Sequence, residues 1–431
     1  MLKIVHAAFL TAALATSAWS QTTAPELPNT PEALNAAAIK AYQAKDYAAF
    51  LADEKKALDL EPGTPRLIYN VACGEALLGN AAEAVRGLEI LVDHRLDLGA
   101  EKDDDFTRIR STPEWARFLA SLAELRKPIV RSQMAFQLDD PGLIATGVAV
   151  DAASGDTYIA SIRERKIVRR TSKGVVSDFV TQGQDGIFAV VQLAIDPARK
   201  LLYATASTAP FMLGYHKEDG TPSGLFAFDL RSGKLARKVT LPPDGKTHFL
   251  NALTLDSKGN IYVADSLVGE IFVLRPGATE LELFLPPGVF RSTQGLAFSP
   301  DEKILYVIDY TNGLWTLDMA TRKPRKIDAP ADASLAGLDG LSRVPGGFLC
   351  VRIGAQPNGV LRLVMDQPFE KIVRVETLES NRPDYDGPIQ GAVDGHDFVY
   401  VANSQFSLTN GETGAFAAEK AKATVVLKMP F

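Results

Sequence analysis

Thr146, Gln192, Asn251, Gln294, Asp339 and Gln390 each stand just ahead of a short apolar strand, and the six strands resemble one another. Four companion strands end in Asp265, Asp309, Arg352 and Asn403, and nearby loops carry Asp185, His216, His248, Arg291 and Asp386. His248 is the proton-transfer candidate, because an imidazole titrates near neutrality; Asp265 offers a carboxylate for the same work. The alternative for His248 is a turn histidine bonded within its own loop. Arg291 and Arg352 carry guanidiniums able to orient a carboxylate or a sugar oxygen; their alternative is solvated loop charge. Other chemistry is missing from the sequence: it has no G-x-S-x-G, P-loop, H-E-x-x-H or C-x-x-C pattern. With only two cysteines and five histidines, a disulfide-stapled scaffold and a zinc-finger array are excluded.

The elements that position these residues repeat. After Pro128, short runs of period two alternate with Gly, Pro, Asp and Asn turns. First strands such as Gly147-Val-Ala-Val-Asp151 are followed by Tyr-rich second strands such as Ile261-Tyr-Val-Ala-Asp265 and by third strands such as Glu270-Ile-Phe-Val-Leu274. Val148 to Ala392 spans five steps of roughly 49 residues each, the period of propeller blades. The sixth unit shows only three strands before Phe431. The segment 130–138 is expected to supply the fourth and close the ring, removing exposed edges. Residues just before each inner strand then line one mouth of the central channel. The insertion Ser207–Ser223, with Phe211, Met212, Tyr215 and His216, reads either as a lid over that mouth or as a contact surface for the helices.

On Gly147-Val-Ala-Val-Asp151, Asn251-Ala-Leu-Thr-Leu-Asp256, Tyr262-Val-Ala-Asp265-Ser266, Gln294-Gly-Leu-Ala-Phe-Ser-Pro300, Asp339-Gly-Leu341 and Tyr400-Val-Ala-Asn403-Ser404, residues 128–431 resemble the SMP-30/gluconolactonase/LRE-like superfamily of six-bladed propellers. The resemblance implies one divalent cation, calcium by preference, that polarises a lactone or ester carbonyl. It places Asn251 and Asp339 among the ligands. Thr146 stands where the family's enzymes usually have Glu, and Gln294 where Asn is common, so this ring offers one carboxylate rather than two. Thr146, Gln192, Gln294, Gln390, Asp309, Arg291, Arg352 and Asn403 are the expected channel-mouth or substrate residues.

The N-terminus joins Lys3 to an apolar run ending Ala18-Trp19-Ser20, the layout of a secretory signal peptide over 1–20 cleaved near Ser20-Gln21. The alternative is an uncleaved anchor. A short linker, 21–29, follows. Residues 30–127 show helical spacing and resemble tetratricopeptide repeats: Lys45 aligns with Gly79 and Phe50 with Ala84, an offset of 34 residues. These helices read either as a docking groove for a partner protein or as a cap for the rest of the chain. Cys73 and Cys350 are expected as two separate buried thiols.

The 431 residues carry 46 Lys and Arg against 52 Asp and Glu, a net charge of −6, which argues against a nucleic-acid partner. The expected architecture is mainly β: a six-bladed propeller over 128–431 behind a helical domain. Two functions stay open: a periplasmic or secreted metal-dependent lactonase or esterase acting on a small molecule at the channel mouth, or a non-catalytic ligand- or protein-binding scaffold. No membrane span is expected after signal cleavage.

Overall fold

The computed structural model describes residues 30–431; the predicted signal peptide and linker lie outside them. Two compact units are present, one built on residues up to Lys127 and one on the chain from Pro128.

The first unit contains five helices: α1 (Pro31–Gln43), α2 (Tyr47–Leu60), α3 (Pro65–Leu78), α4 (Ala81–Asp93) and α5 (Pro113–Leu125). The sequence explains their starts. Thr30 and Thr112 accept hydrogen bonds from Ala33 N and Trp115 N, each with Pro at the first helical position. The repeat register is visible in the backbone: Lys45 and Gly79, 34 positions apart, both adopt left-handed conformations at the turns between paired helices, with φ of 60° and 88°. Phe50 and Ala84, the other aligned pair, are both buried. The core joins Phe50, Ile68, Leu88, Leu91, Phe106, Trp115, Phe118 and Leu122. No described helix is long and apolar enough to cross a membrane.

The second unit is a six-bladed propeller of four-stranded antiparallel sheets. The inner strands are Ala145–Asp151, Ala189–Asp196, Leu250–Leu255, Thr293–Phe298, Leu338–Val344 and Ala392–Asp394. Each inner strand packs beside the next, and the sixth returns to the first. The second-strand tyrosines Tyr158, Tyr203, Tyr262, Tyr306 and Tyr400 are all buried. They fill the space between blades, as where the Tyr262 ring meets Phe284 at 5.1 Å and Phe298 at 5.3 Å. Burying such side chains is worth about 2–3 kcal/mol each.

The ring closes through blade six. Gln133–Leu138 pairs antiparallel with Thr424–Pro430, Gln133 opposite Lys428 and Leu138 opposite Thr424. One buried acid fastens the start of that closing strand. Glu379 Oε2 accepts from Arg131 N and Ser132 N at 2.7 Å each. Its Oε1 accepts from Ser132 Oγ at 2.7 Å, from Tyr385 Oη at 2.9 Å and from Tyr400 Oη. Burial alone would raise the carboxyl's pKa, but these donors outweigh it and hold the group below its ordinary value.

Candidate functional site

The second strands end where the inner strands begin: Ser161 pairs with Ala145, Asp265 with Leu250, Asp309 with Thr293 and Arg352 with Leu338. At this end the inner strands bulge. Thr146, Val191, Asn251 and Gln294 are extra residues without a cross-strand partner, and in blade five the pairing slips between Asp339 and Ser342. A bulge breaks the alternation of side chains and re-aims the residue it inserts. It therefore lifts one residue out of the sheet pattern at the mouth in each of the first four blades. In blade two that residue is the apolar Val191. Gln192 lies one step further on, opposite Thr205, and lines an axial cavity of about 360 Å³.

The mouth residues are buried and linked. Thr146 Oγ1 donates to Val190 O at 2.8 Å. Asn251 Nδ2 donates to Gln294 Oε1, and Gln294 Nε2 donates to Ser292 Oγ at 2.9 Å. Committing the Asn251 nitrogen leaves its oxygen as the atom available to a cation. Asp339 is the carboxylate of the set and is 6% exposed. Burial pushes its pKa up to about 7, while the Gln390 and Gly340 backbone N–H groups pull the other way. Gln390 comes this close because position 340 lacks a side chain: a Cβ on Gly340 would lie 2.3 Å from Cβ of Gln390. Asp339 in turn adds to the burial that pushes the Tyr310 hydroxyl and the Cys350 thiol up to about 12. Cys73 and Cys350 are both free, buried thiols.

The residues that end the second strands hold loops. Asp309 Oδ2 accepts from Arg291 N at 2.6 Å and Ser292 N at 3.0 Å, and its Oδ1 from Thr311 N and Asn312 N. Asn403 Nδ2 donates to Ala423 O, and its Oδ1 accepts from Val425 N. Arg352 is buried, whereas the side chain of Arg291 is on the surface.

His248 and Asp265, singled out separately in the sequence, meet at 2.5 Å from Nδ1 to Oδ2. His248 Nε2 also faces Asp244 Oδ1 at 3.0 Å, and Glu270 Oε2 lies 3.9 Å from Nδ1. Carboxylates face both ring nitrogens, an arrangement that favours the doubly protonated imidazolium. Burial would lower the His248 pKa, yet the bonds to Asp265 and Asp244 raise it above its usual value. The sequence offered a clue to Asp244, four residues upstream of His248; Glu270 gave none. A raised histidine pKa stabilises the fold below about pH 6.5, and the gain is lost as pH rises through the folded-state value. His248→Asn should therefore lower stability by about 2 kcal/mol at pH 6 and by much less at pH 9. Thermal melts at the two pH values check this; an equal loss at both would remove the charged pair as its cause.

Two long loops cover the same end. Thr208–Pro222 leaves blade two, and the 402–423 loop, whose length the sequence reading passed over, leaves blade six. They pack on each other, with the rings of Phe211 and Phe406 at 6.1 Å. The Arg163 guanidinium lies 4.2 Å over the Phe416 ring. Beneath them Ile144, Ile162, Val191 and Phe211 form one buried cluster, so the apolar bulge of blade two belongs to the underside of this cover.

No protein-family model matches the chain, and no curated protein matches it in sequence. Solved structures with a similar fold include a luciferin-regenerating enzyme, 13% identical over 71% of this chain and 96% of that one, with a TM-score of 0.49. A calcium-binding protein, regucalcin, from Agrobacterium tumefaciens is 18% identical over 69% of this chain and 94% of its own, at a TM-score of 0.48. A gluconolactonase from Xanthomonas campestris is 15% identical over 70% and 94%, at 0.45. The assignment of six blades rests on the strand pairing described above.

Proposed function

We propose that the chain is an exported hydrolase that opens a lactone or ester at the propeller mouth with the help of a divalent cation. The observation that carries this reading is the mouth itself: Asp339 is a buried carboxylate at the start of the blade-five inner strand, at the position where Thr146, Asn251 and Gln294, lifted out by strand bulges, offer neutral oxygens in their own blades. Oxygen-only donors suit a hard cation such as calcium. Asp339 and Asn251 would hold it, and it would polarise the substrate carbonyl. The chain supplies the rest. Arg352 places a buried positive charge at the end of the blade-five second strand, suited to orienting a substrate oxygen. His248 carries a proton on Nε2, reached through Asp244, whose carboxylate is 39% exposed.

A second reading, a non-catalytic ligand- or protein-binding scaffold that also docks a partner on its helices, draws on a different observation. The chain Asn251 to Gln294 to Ser292, and Thr146 to Val190, satisfies donors of the ring internally. Metal analysis of the purified protein followed by lactone hydrolysis with and without EDTA separates the two. One bound divalent ion per chain and loss of turnover in EDTA support the hydrolase. Protein that holds no cation at the mouth and shows no EDTA effect supports the scaffold.

A further inference from the structure

The helical unit contains a second group of metal-ligand side chains, independent of the channel mouth. Cys73 lies on α3. Asp103 and Asp105 lie at the two consecutive 3-10 turns Ala100–Lys102 and Asp104–Ile109. Their sulfur and one oxygen from each carboxylate all fall within 4.8 Å of one another. Cys73 is 2% exposed and Asp105 6%.

The hydrogen bonding around them is lopsided. Tyr42 Oη donates to Asp105 Oδ1 at 2.6 Å, and Tyr69 Oη donates to Asp103 Oδ2 at 2.8 Å. Asp103 Oδ1 accepts from Asp105 N at 3.1 Å. Asp105 Oδ2 is buried and receives no N–H or O–H donor among the described residues; the Cys73 thiol is the polar group that interacts with this carboxylate. A thiol is a weak donor, and a buried carboxylate oxygen served by no stronger one is costly. The cluster around His248 differs on this point. There Asp265 Oδ1 accepts from Phe249, Leu267 and Val268, its Oδ2 is held by His248, and Glu270 Oε1 is held by Lys246. That cluster is satisfied as it stands, whereas the one at Cys73 lacks a positive partner for Asp105 Oδ2.

We propose that Cys73, Asp103 and Asp105 bind a zinc ion, with the two tyrosine hydroxyls orienting the carboxylates. One sulfur and two oxygens, with water as the fourth ligand, form a set that zinc accepts in tetrahedral geometry. Calcium takes oxygen ligands, so the thiol sets this site apart from the channel mouth. Zinc bonds of about 2.0–2.3 Å put tetrahedral ligands roughly 3.3–3.8 Å apart, a spacing inside the 4.8 Å that bounds these donors. Cys73 binds as thiolate and releases its proton to solvent. The phenols play the part that hydrogen bonds to ligating carboxylates play in metal sites generally.

The test uses the full chain, stripped with a chelator and titrated with cobalt(II). One equivalent should produce a thiolate-to-cobalt charge-transfer band, and zinc but not calcium should abolish it. Cys73→Ser and Asp105→Asn should each lose the band. Asp339→Asn, at the channel mouth, should keep it, which separates this site from the proposed catalytic one. Because the wild-type spectrum needs no substitution, a variant that folds poorly leaves the question answerable. Absence of the band in the wild type overturns the proposal. So does a band that survives in Cys73→Ser, since it would then arise at Cys350.

Discussion

Asp339→Asn should make the metal-free protein more stable at pH 8, not less. The Asp339 pKa stands at about 7, against an ordinary 3.8. A raised value means that the stability linked to the protonated form is present below the unfolded value and is lost as pH rises through the folded one. At pH 8 the wild type holds an ionised, buried carboxylate, which Asn mimics in shape without charge. Three pKa units correspond to about 4 kcal/mol at most. At pH 4 both side chains are neutral and the difference should nearly vanish. Melting temperatures in EDTA at the two pH values measure it, and a variant less stable than wild type at pH 8 would contradict the environment described for Asp339. Calcium should reverse the order. It should raise the wild-type melting temperature, more so at pH 8 than at pH 6 where the carboxyl is mostly protonated, and leave Asp339→Asn unmoved. Under the hydrolase reading the same substitution should abolish turnover.

Glu379→Ala should be the most damaging single change in the propeller away from its apolar core. The side chain is fully buried and accepts from two backbone N–H groups and three hydroxyls, and its removal leaves both N–H groups and the Ser132 hydroxyl without this acceptor. Removing one side of such a buried charged network costs about 3–5 kcal/mol. For a unit of this size that corresponds to roughly 8–15 °C in Tm. The sign with pH is opposite to that of Asp339. The Glu379 pKa is depressed, so its contribution is present above the ordinary value and disappears as pH falls through the folded one. Glu379→Gln should thus approach wild type in acid and fall behind it at neutrality. A denaturation series at pH 3.5 and pH 7 decides this, and equal gaps at both would show that shape rather than charge matters.

The two acids mark the limit of what the sequence disclosed. Repetition was legible because it samples one environment many times: five tyrosines at matched positions announced the blades, and the 34-residue offset announced the helix pairs. Asp339 was legible as the acid of a repeated position. Its partner set was less so, because a bulge adds a single residue without altering the local pattern. Gln192 looked equivalent to Asn251, whereas Val191 is. Glu379 carried no signal at all. It sits at the end of an outer strand, and its partners lie some 250 positions upstream at Arg131 and Ser132 as well as beside it in space. Cys73 and Asp105 were likewise joined only by folding. His248 was singled out for its imidazole; that both its nitrogens would be taken by carboxylates depended on the loop geometry.

The seam of the ring also sets a timetable. Among the described strands, Gln133–Leu138 is the first to leave the ribosome, and Thr424–Pro430, its partner, is the last. At about 5–20 residues per second, the interval between them is on the order of 15–60 s. During that time the helices can fold, while the strand that follows them waits with an unpaired edge and with Met134 exposed even in the finished ring. The growing propeller is therefore an open arc that depends on Thr424–Pro430, and a nascent chain stalled before that strand would present the cell with five blades and a free edge.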